Sequence, residues 1–149
     1  KFTVQDLPGQ PEYECAGFYG FTCGNGRAPM PKWRHKLRTT WSAPMDVDVA
    51  LTWRYIASVD ADSTSSNPVL SAATANVDRE LGSRSYFDIA ASWAATNWLT
   101  VRLGVNNIFD KDPPITALTD PSNFGNGNTF PQTYDTLGRR VFAGLTAKF

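Results

Sequence analysis

The chain has 149 residues, no net charge and a mean hydropathy of −0.32, a length that corresponds to about one domain. The balance of 14 basic and 14 acidic side chains leaves no positive excess to attract nucleic acid, so that class of partner is excluded. The average hydropathy does not exclude a membrane protein, because the strands of a transmembrane β-barrel alternate apolar and polar residues.

The start of the chain and its longest apolar run argue against helical membrane segments. A membrane-spanning helix needs about 20 consecutive apolar residues. The run from Ile89 to Val101 is shorter and is interrupted by Asn97. The opening residues, Lys1 to Val4, look like part of a strand and not like a signal peptide. We therefore expect an all-β chain whose mature start lies upstream or which is an excised piece.

Two cysteines, Cys15 and Cys23, lie in the first long segment, which is rich in Gly, Tyr and Pro. An even cysteine count at short spacing favours a disulfide in an oxidising compartment. The alternative is a pair of free thiols. A metal site would need more ligands than the single histidine, His35, can add, so no metal is predicted.

Alternation of apolar and polar residues is the main signal in the rest of the chain. Val49, Leu51 and Trp53, for example, alternate with Ala50 and Thr52. The odd-numbered residues of 47–55 and 99–105 are therefore predicted to share the outer face of an antiparallel sheet. The predicted strands are a stub at 2–4 and five long strands at 34–43, 47–60, 85–95, 98–108 and 133–149.

The connections between these strands alternate strictly between short and long. Ala43–Asp46 and Ala95–Asn97 are tight turns, whereas 6–33, 61–83 and 110–132 are long and rich in Gly, Pro, Asn, Ser and Asp. A membrane β-barrel has this arrangement, with short periplasmic turns and long extracellular loops. It also places the C-terminus on the periplasmic side.

Aromatic residues fall near both predicted ends of the strands, as the two interfacial girdles of a barrel do. The alternative is that they pack a soluble core, because aromatic residues favour strands in any case. The predicted lower girdle contains Trp41, Trp93, Trp98 and Phe149, and the predicted upper girdle contains Trp33, Tyr55, Phe87 and Tyr134.

Three stretches carry a family resemblance. They are Pro31–Trp41 followed by Leu51–Tyr55, then Tyr86–Asp88 leading to the block Gly104-Val-Asn-Asn-Ile-Phe-Asp110 with its continuation to Pro114, and Gly127–Phe130 through Tyr134–Arg140 to the terminal Phe149. Together they resemble the C-terminal end of TonB-dependent outer-membrane receptors. The resemblance implies an antiparallel up-and-down transmembrane β-barrel. Residues 1–149 would be its C-terminal portion, about five strands plus a stub, without the plug and the N-terminal strands.

The same resemblance implies a function and partners. Receptors of this family bind a scarce nutrient, such as an iron–siderophore, cobalamin or an oligosaccharide, and import it with energy from the TonB complex acting through the plug. Implied partners are outer-membrane lipid, lipopolysaccharide and the barrel-assembly machinery, which would recognise Phe149. No cofactor is expected. The alternatives are a passive porin-like barrel and a secreted all-β carbohydrate-binding module.

The candidate functional residues lie on the predicted polar face. Four arginines, Arg38, Arg54, Arg102 and Arg140, are predicted to point into the barrel lumen. They could guide an anionic ligand, or they could be paired with Asp48, Asp88 and acidic plug residues; the second interpretation is favoured because lumenal charges normally need partners.

Other polar residues have simpler explanations. Arg139 is predicted to face outward, towards lipopolysaccharide phosphates or simply towards the interface. Asp110, Asp112 and Asp120 could be calcium ligands, but solvated loop residues are favoured because no ligand spacing recurs. No combination of residues suited to catalysis is present, so an enzyme is not expected.

Overall fold

A computed structural model describes residues 2–23, 28–72, 78–117 and 127–148. The chain groups into two compact units, which are treated separately below. The loop unit comprises Lys1–Arg34, Ile56–Arg84 and Pro113–Thr136, and the sheet unit comprises His35–Tyr55, Ser85–Asp112 and Leu137–Phe149.

The described residues are mainly β-strand, with one short α-helix, α1, at Pro68–Ser71 and a 3₁₀ turn at Asp62–Thr64. In chain order the strands are β1 (Thr3–Val4), β2 (Tyr13–Glu14), β3 (Phe18–Tyr19), β4 (Arg34–Ala43), β5 (Val47–Ile56), β6 (Val59–Ala61), β7 (Glu80–Leu81), β8 (Arg84–Ala94), β9 (Leu99–Asn106) and β10 (Arg140–Ala147). The prediction of an all-β chain is confirmed at this level.

The sheet unit is built around one five-stranded sheet in the order β10-β9-β8-β5-β4. β8, β9 and β10 pair antiparallel, and the Ala94 N–H donates to the Asp46 carbonyl at 3.0 Å where β8 meets the start of β5. All five long strands of the prediction are therefore present. In the described part of the chain the sheet is open, with β10 and β4 as its edges.

The register of this sheet sorts its side chains onto two faces. Leu103 stands opposite Ala91 on β8 and Ala143 on β10, and opposed residues of an antiparallel sheet project to the same side. Odd-numbered residues therefore share one side, here called the apolar face, as the alternation predicts. Leu103 is 54% exposed and Leu145 75% exposed, so this face is open in the structure.

The even-numbered residues form the opposite side, called the polar face. Ser92, Arg102 and Gly144 are opposed across β8, β9 and β10, and Ala94 and Thr100 follow in the same register. Polar and small residues dominate this side. It follows that one period of two residues, maintained over several strands, produces a sheet with two chemically different surfaces.

The two predicted tight turns are present in the sheet unit. Met45 and Asp46 take positive φ angles of 67° and 57° between β4 and β5, as a short hairpin connection requires. Between β8 and β9, the Leu99 N–H donates to the Thr96 hydroxyl at 3.0 Å. Both turns thus keep consecutive strands adjacent.

The predicted stub at 2–4 is present as β1, which pairs with β2 in a separate two-stranded sheet. Two predicted strand limits are wrong. The strand predicted at 47–60 ends at Ile56, and β6 belongs to a different sheet. The strand predicted from 133 begins at Arg140, because residues 131–134 form a turn and Gly138 has a φ of 66°.

The loop unit contains strands within segments that were expected to be plain connections. β6 pairs parallel with β3 and antiparallel with β7. Its core holds Tyr13, both cysteines and Leu70, all 3% exposed or less. Tyr134, predicted for the upper aromatic girdle, is instead 3% exposed inside this unit. The long connections thus carry a hydrophobic core of their own.

Candidate functional site

Arg54 and Asp88 form a two-pronged ion pair on the polar face. Arg54 Nε donates to Asp88 Oδ2 at 2.9 Å, and Nη2 donates to Oδ1 at 2.8 Å. The guanidinium also lies 5.1 Å from the ring centroid of buried Tyr86, within cation–π range. Of the four predicted lumenal arginines, Arg54 is therefore held in a structural pair, which is the second interpretation given above for these charges.

Asn107 ties this ion pair to the end of β9. Its backbone N–H donates to Asp88 Oδ1 at 2.9 Å. Its side chain accepts from the Lys111 N–H at 2.9 Å and donates to the Lys111 carbonyl at 3.0 Å. Asn107 is fully buried with a φ of 50°, a conformation that Asn tolerates better than most residues. The Asn-Asn-Ile-Phe-Asp block therefore contains a strand-ending turn, as its composition predicts.

Arg38 and Arg102 line a common cavity of about 390 Å³ near the middle of β4 and β9. Asp48 and Ser92 also line it, and Ala50 and Ala90 form a floor of small side chains. The structure thus brings together two of the four predicted arginines, although they are far apart in sequence.

A second cavity, of about 180 Å³, adjoins the first through the residues that the two share. Arg38, Ala50 and Ala90 line both, and Lys36 and Asn106 line only the second. Neither Lys36 nor Asn106 was proposed from the sequence as a ligand-binding residue. The signal that could have found Lys36 was its even-numbered position on β4, two residues before Arg38.

Arg140 lines neither cavity, although it is the register neighbour of a residue that lines the second. Its register partner on β9 is Asn106, which places it on the polar face at the start of β10. The neighbouring residue, Arg139, contacts Asp110. The backbone N–H of Arg139 donates to Asp110 Oδ1 at 2.7 Å, and its side-chain Nη2 lies 3.8 Å from Asp110 Oδ2. Asp110 therefore stabilises the turn before β10. Asp120, the third member of the calcium alternative, lies outside the described residues.

A row of aromatic rings crosses three strands on the apolar face. His35 packs edge-on against Trp53 with centroids 4.6 Å apart, and Trp53 stacks on Phe87 at 6.0 Å. Phe87 in turn contacts Phe109 at 5.6 Å, and the Trp53 indole donates to Ser85. Tyr55 stacks on His35 with centroids 5.4 Å apart, so Tyr55 and Phe87 of the predicted upper girdle belong to one contiguous cluster.

In the loop unit, Cys15 and Cys23 form the predicted disulfide, with Cα atoms 5.3 Å apart. Buried Asp62 supports the same loop by accepting the N–H groups of Thr22 at 2.9 Å and Cys23 at 3.3 Å. The Asp62 carboxyl group lies so close to Gly20 that no side chain fits there, and Gly20 has a φ of 147°. Nothing in the sequence singled out Asp62, because its partners are about 40 residues away.

Burial changes the chemistry of two tyrosines in this unit. Burial, followed by a hydrogen bond to Asp6, raises the pKa of Tyr13. Burial is also the largest cause of the raised pKa of Tyr19; a hydrogen bond from Thr116 opposes it and the charges of Asp78 and Asp62 add to it. The Tyr19 hydroxyl donates to the Asp78 carbonyl at 2.5 Å. Both tyrosines are therefore neutral structural groups at ordinary pH.

Three further expectations concern the assembly signal, metal binding and membrane-spanning helices. Phe149, the predicted assembly signal, lies outside the described residues. Within residues 2–23, 28–72, 78–117 and 127–148, no group of three or more His, Cys, Asp or Glu side chains is placed to hold a metal ion. In the same ranges, no helix is long and apolar enough to cross a membrane.

No protein-family model matches the chain, and no curated protein matches it significantly. The class of protein that can be stated from the fold is an all-β protein with an open, two-faced antiparallel sheet and a disulfide-bonded loop unit. Its function has to be argued from those two units and from the sequence motifs.

Proposed function

We propose that this chain forms part of the β-barrel of a TonB-dependent receptor in the outer membrane of a Gram-negative cell, and that the receptor imports a scarce nutrient. One observation carries the proposal. A single antiparallel sheet presents an exposed apolar side and an opposite side rich in arginine. In a transmembrane barrel the first side faces lipid and the second faces the lumen.

The exposure of the apolar face is the main support. Trp41, Leu103, Val141 and Leu145 are each more than half exposed. Soluble proteins rarely leave a contiguous apolar patch of more than a few hundred Å² open to water. Lipid hydrocarbon would cover such a face without requiring hydrogen bonds from it. The aromatic cluster from His35 to Phe109 adds support, because aromatic rings concentrate at membrane interfaces.

The loop unit supports the same proposal. A disulfide persists in an oxidising compartment such as the space outside the inner membrane. Long connections with their own packed core suit a surface that selects a ligand, because binding residues are often carried on loops held by a rigid scaffold. The motifs from Gly104 to Pro114 and from Tyr134 to Arg140 link the chain to TonB-dependent receptors in particular.

Thiol labelling tests the membrane part of the proposal. We would introduce Leu103→Cys or Leu145→Cys on the apolar face into the complete reading frame, with Arg102→Cys and Thr146→Cys as adjacent controls on the polar face. A membrane-impermeant maleimide should label the two controls in intact outer membranes. It should label the two apolar-face variants only after detergent denaturation.

Uptake measurements test the transport part. Cells carrying the complete reading frame would be given radiolabelled ferric citrate, cyanocobalamin or a maltooligosaccharide, with TonB present or deleted. Uptake that is lost with TonB supports the receptor, and uptake that persists without TonB indicates a passive porin. Recovery of the protein from cells without detergent, together with equal labelling of all four thiols, would indicate a secreted binding module and refute the proposal.

A further inference from the structure

We infer that Lys36, Arg38 and Arg102 form a binding subsite for a compact anion that bears carboxylate or phosphate groups, at the middle of the polar face. The inference deepens the proposed function, on which it rests for the assignment of this face to the lumen of the barrel. Arg54 and Arg140 are not part of this proposed subsite.

Positive side chains outnumber negative ones in the described middle part of the polar face. Among the described residues, the cations Lys36, Arg38, Arg54 and Arg102 along the middle of the polar face are accompanied by two carboxylates, Asp48 and Asp88. Asp88 is already occupied by both prongs of Arg54 and by the Asn107 N–H. Three cations therefore remain against Asp48 alone.

The described contacts of these side chains do not neutralise the three cations. Asp48 Oδ1 accepts a hydrogen bond from the Ser42 hydroxyl at 2.6 Å. Among the described residues, no ion pair joins Lys36, Arg38 or Arg102 to a carboxylate. All three cations are exposed, and like charges that share one surface repel each other unless an anion lies between them. The cluster is consequently favourable for an anionic partner.

The two cavities beside these cations leave space for a small ligand. Arg38 and Arg102 border a cavity of about 390 Å³, and Lys36 borders the adjoining one of about 180 Å³. The first volume lies in the range of roughly 300–1,000 Å³ typical of small-molecule sites. Ala50 and Ala90 line both cavities, and their short side chains leave room above the sheet. Two guanidinium groups at such a site can each bind a carboxylate or phosphate through paired N–H donors.

The experiment measures anion binding to the complete receptor in detergent, by calorimetry with citrate and, separately, inorganic phosphate. At least one probe should bind, and its dissociation constant should increase with added sodium chloride, because salt screens the charges. Arg38→Gln and Arg102→Gln should each weaken binding about tenfold or more, the equivalent of losing one charged hydrogen-bonding partner. Preference for citrate assigns the site to carboxylates, and preference for phosphate assigns it to phosphates.

Arg140→Gln is the matched control, since it removes the same charge from the same face outside both cavities; its dissociation constant should stay within about twofold of the wild-type value. The inference is overturned if neither probe binds, which is the result expected if acidic side chains of the receptor already neutralise the cluster. It is also overturned if Arg140→Gln weakens binding as much as Arg102→Gln does. Correct thiol labelling with no anion binding would refute this inference alone, whereas failure of the labelling pattern refutes the proposed function.

Discussion

The ring of Phe142 lies directly over Gly104, its register partner on the neighbouring strand. A β-carbon added to Gly104 would overlap the ring and would also crowd the Ile89 carbonyl at 2.8 Å. Phe142 is the large apolar side chain of an otherwise polar or small row, and the glycine provides the space for it. This relationship resembles the rescue of a strand glycine by a cross-strand aromatic ring.

We predict that Gly104→Ala destabilises the protein by about 1–3 kcal/mol, the range for an overpacked site. Gly144→Ala is the control, because a β-carbon at Gly144 meets nothing within 4 Å. Urea unfolding of the complete protein in lipid vesicles measures both. A double variant with Phe142→Leu should recover part of the loss. Equal stabilities for the two alanine variants would show that the ring moves aside freely.

The ion pair on the polar face gives a second prediction. Asp88→Asn removes the negative charge and replaces one of the two oxygens that accept from Arg54 with an amide nitrogen, which cannot accept, so we expect a loss of about 2 kcal/mol. The control is Asp48→Asn, whose described hydrogen bond comes from an exposed Ser42 hydroxyl; it should change stability by less than about 0.5 kcal/mol. A larger loss at Asp48 than at Asp88 would contradict this assignment.

Asn107 combines two separable roles, and a pair of variants measures them. Asn107→Ala removes both side-chain bonds to Lys111 and puts alanine at a φ of 50°. Asn107→Gly removes the same bonds without the steric cost of that angle. We therefore expect glycine to be the more stable variant by about 1 kcal/mol. The unfolding midpoints of the two variants provide the test, and a more stable alanine variant would rule out the backbone contribution.

The disulfide should stabilise the loop unit. Replacing both cysteines with alanine keeps the buried positions apolar and removes the cross-link, at a cost of about 2–3 kcal/mol by loop entropy. Limited proteolysis should then cleave residues 2–23 faster than in the wild type. A reducing agent should have the same effect on the wild type and none on the double variant. Unchanged cleavage in both cases would mean that Asp62 and the core suffice.

Ionisation of Tyr19 should reduce the stability of the loop unit at high pH. Its pKa is raised above 10.0, chiefly by burial, so folding favours the neutral phenol. The stability that it contributes is fully present below pH 10.0 and is lost as the pH rises through the raised folded-state value. Ultraviolet titration of the wild type minus Tyr19→Phe should show a phenolate that appears above pH 10.0. A difference spectrum that appears below that pH would contradict the prediction.

Local sequence patterns were sufficient to predict the five long strands, their two faces, the tight turns and the cysteine pair. These features follow from local rules: side chains of a strand alternate with a period of two, and a one-residue error would move every side chain to the wrong face. The even positions of Arg38, Arg54, Arg102 and Arg140 were enough to place them on one surface. Short loop closure favoured the Cys15–Cys23 pair in the same local way.

The way these residues combine depends on contacts between distant parts of the chain. In the folded chain Arg54 pairs with Asp88, and Arg38 and Arg102 line one cavity that Arg140 does not line. In the loop unit β3 pairs with β6, about 40 residues away, and β1 pairs with β2 in a separate sheet. Periodicity contains no information on such contacts, because they depend on which distant strand lies alongside and on which acceptor a buried donor reaches.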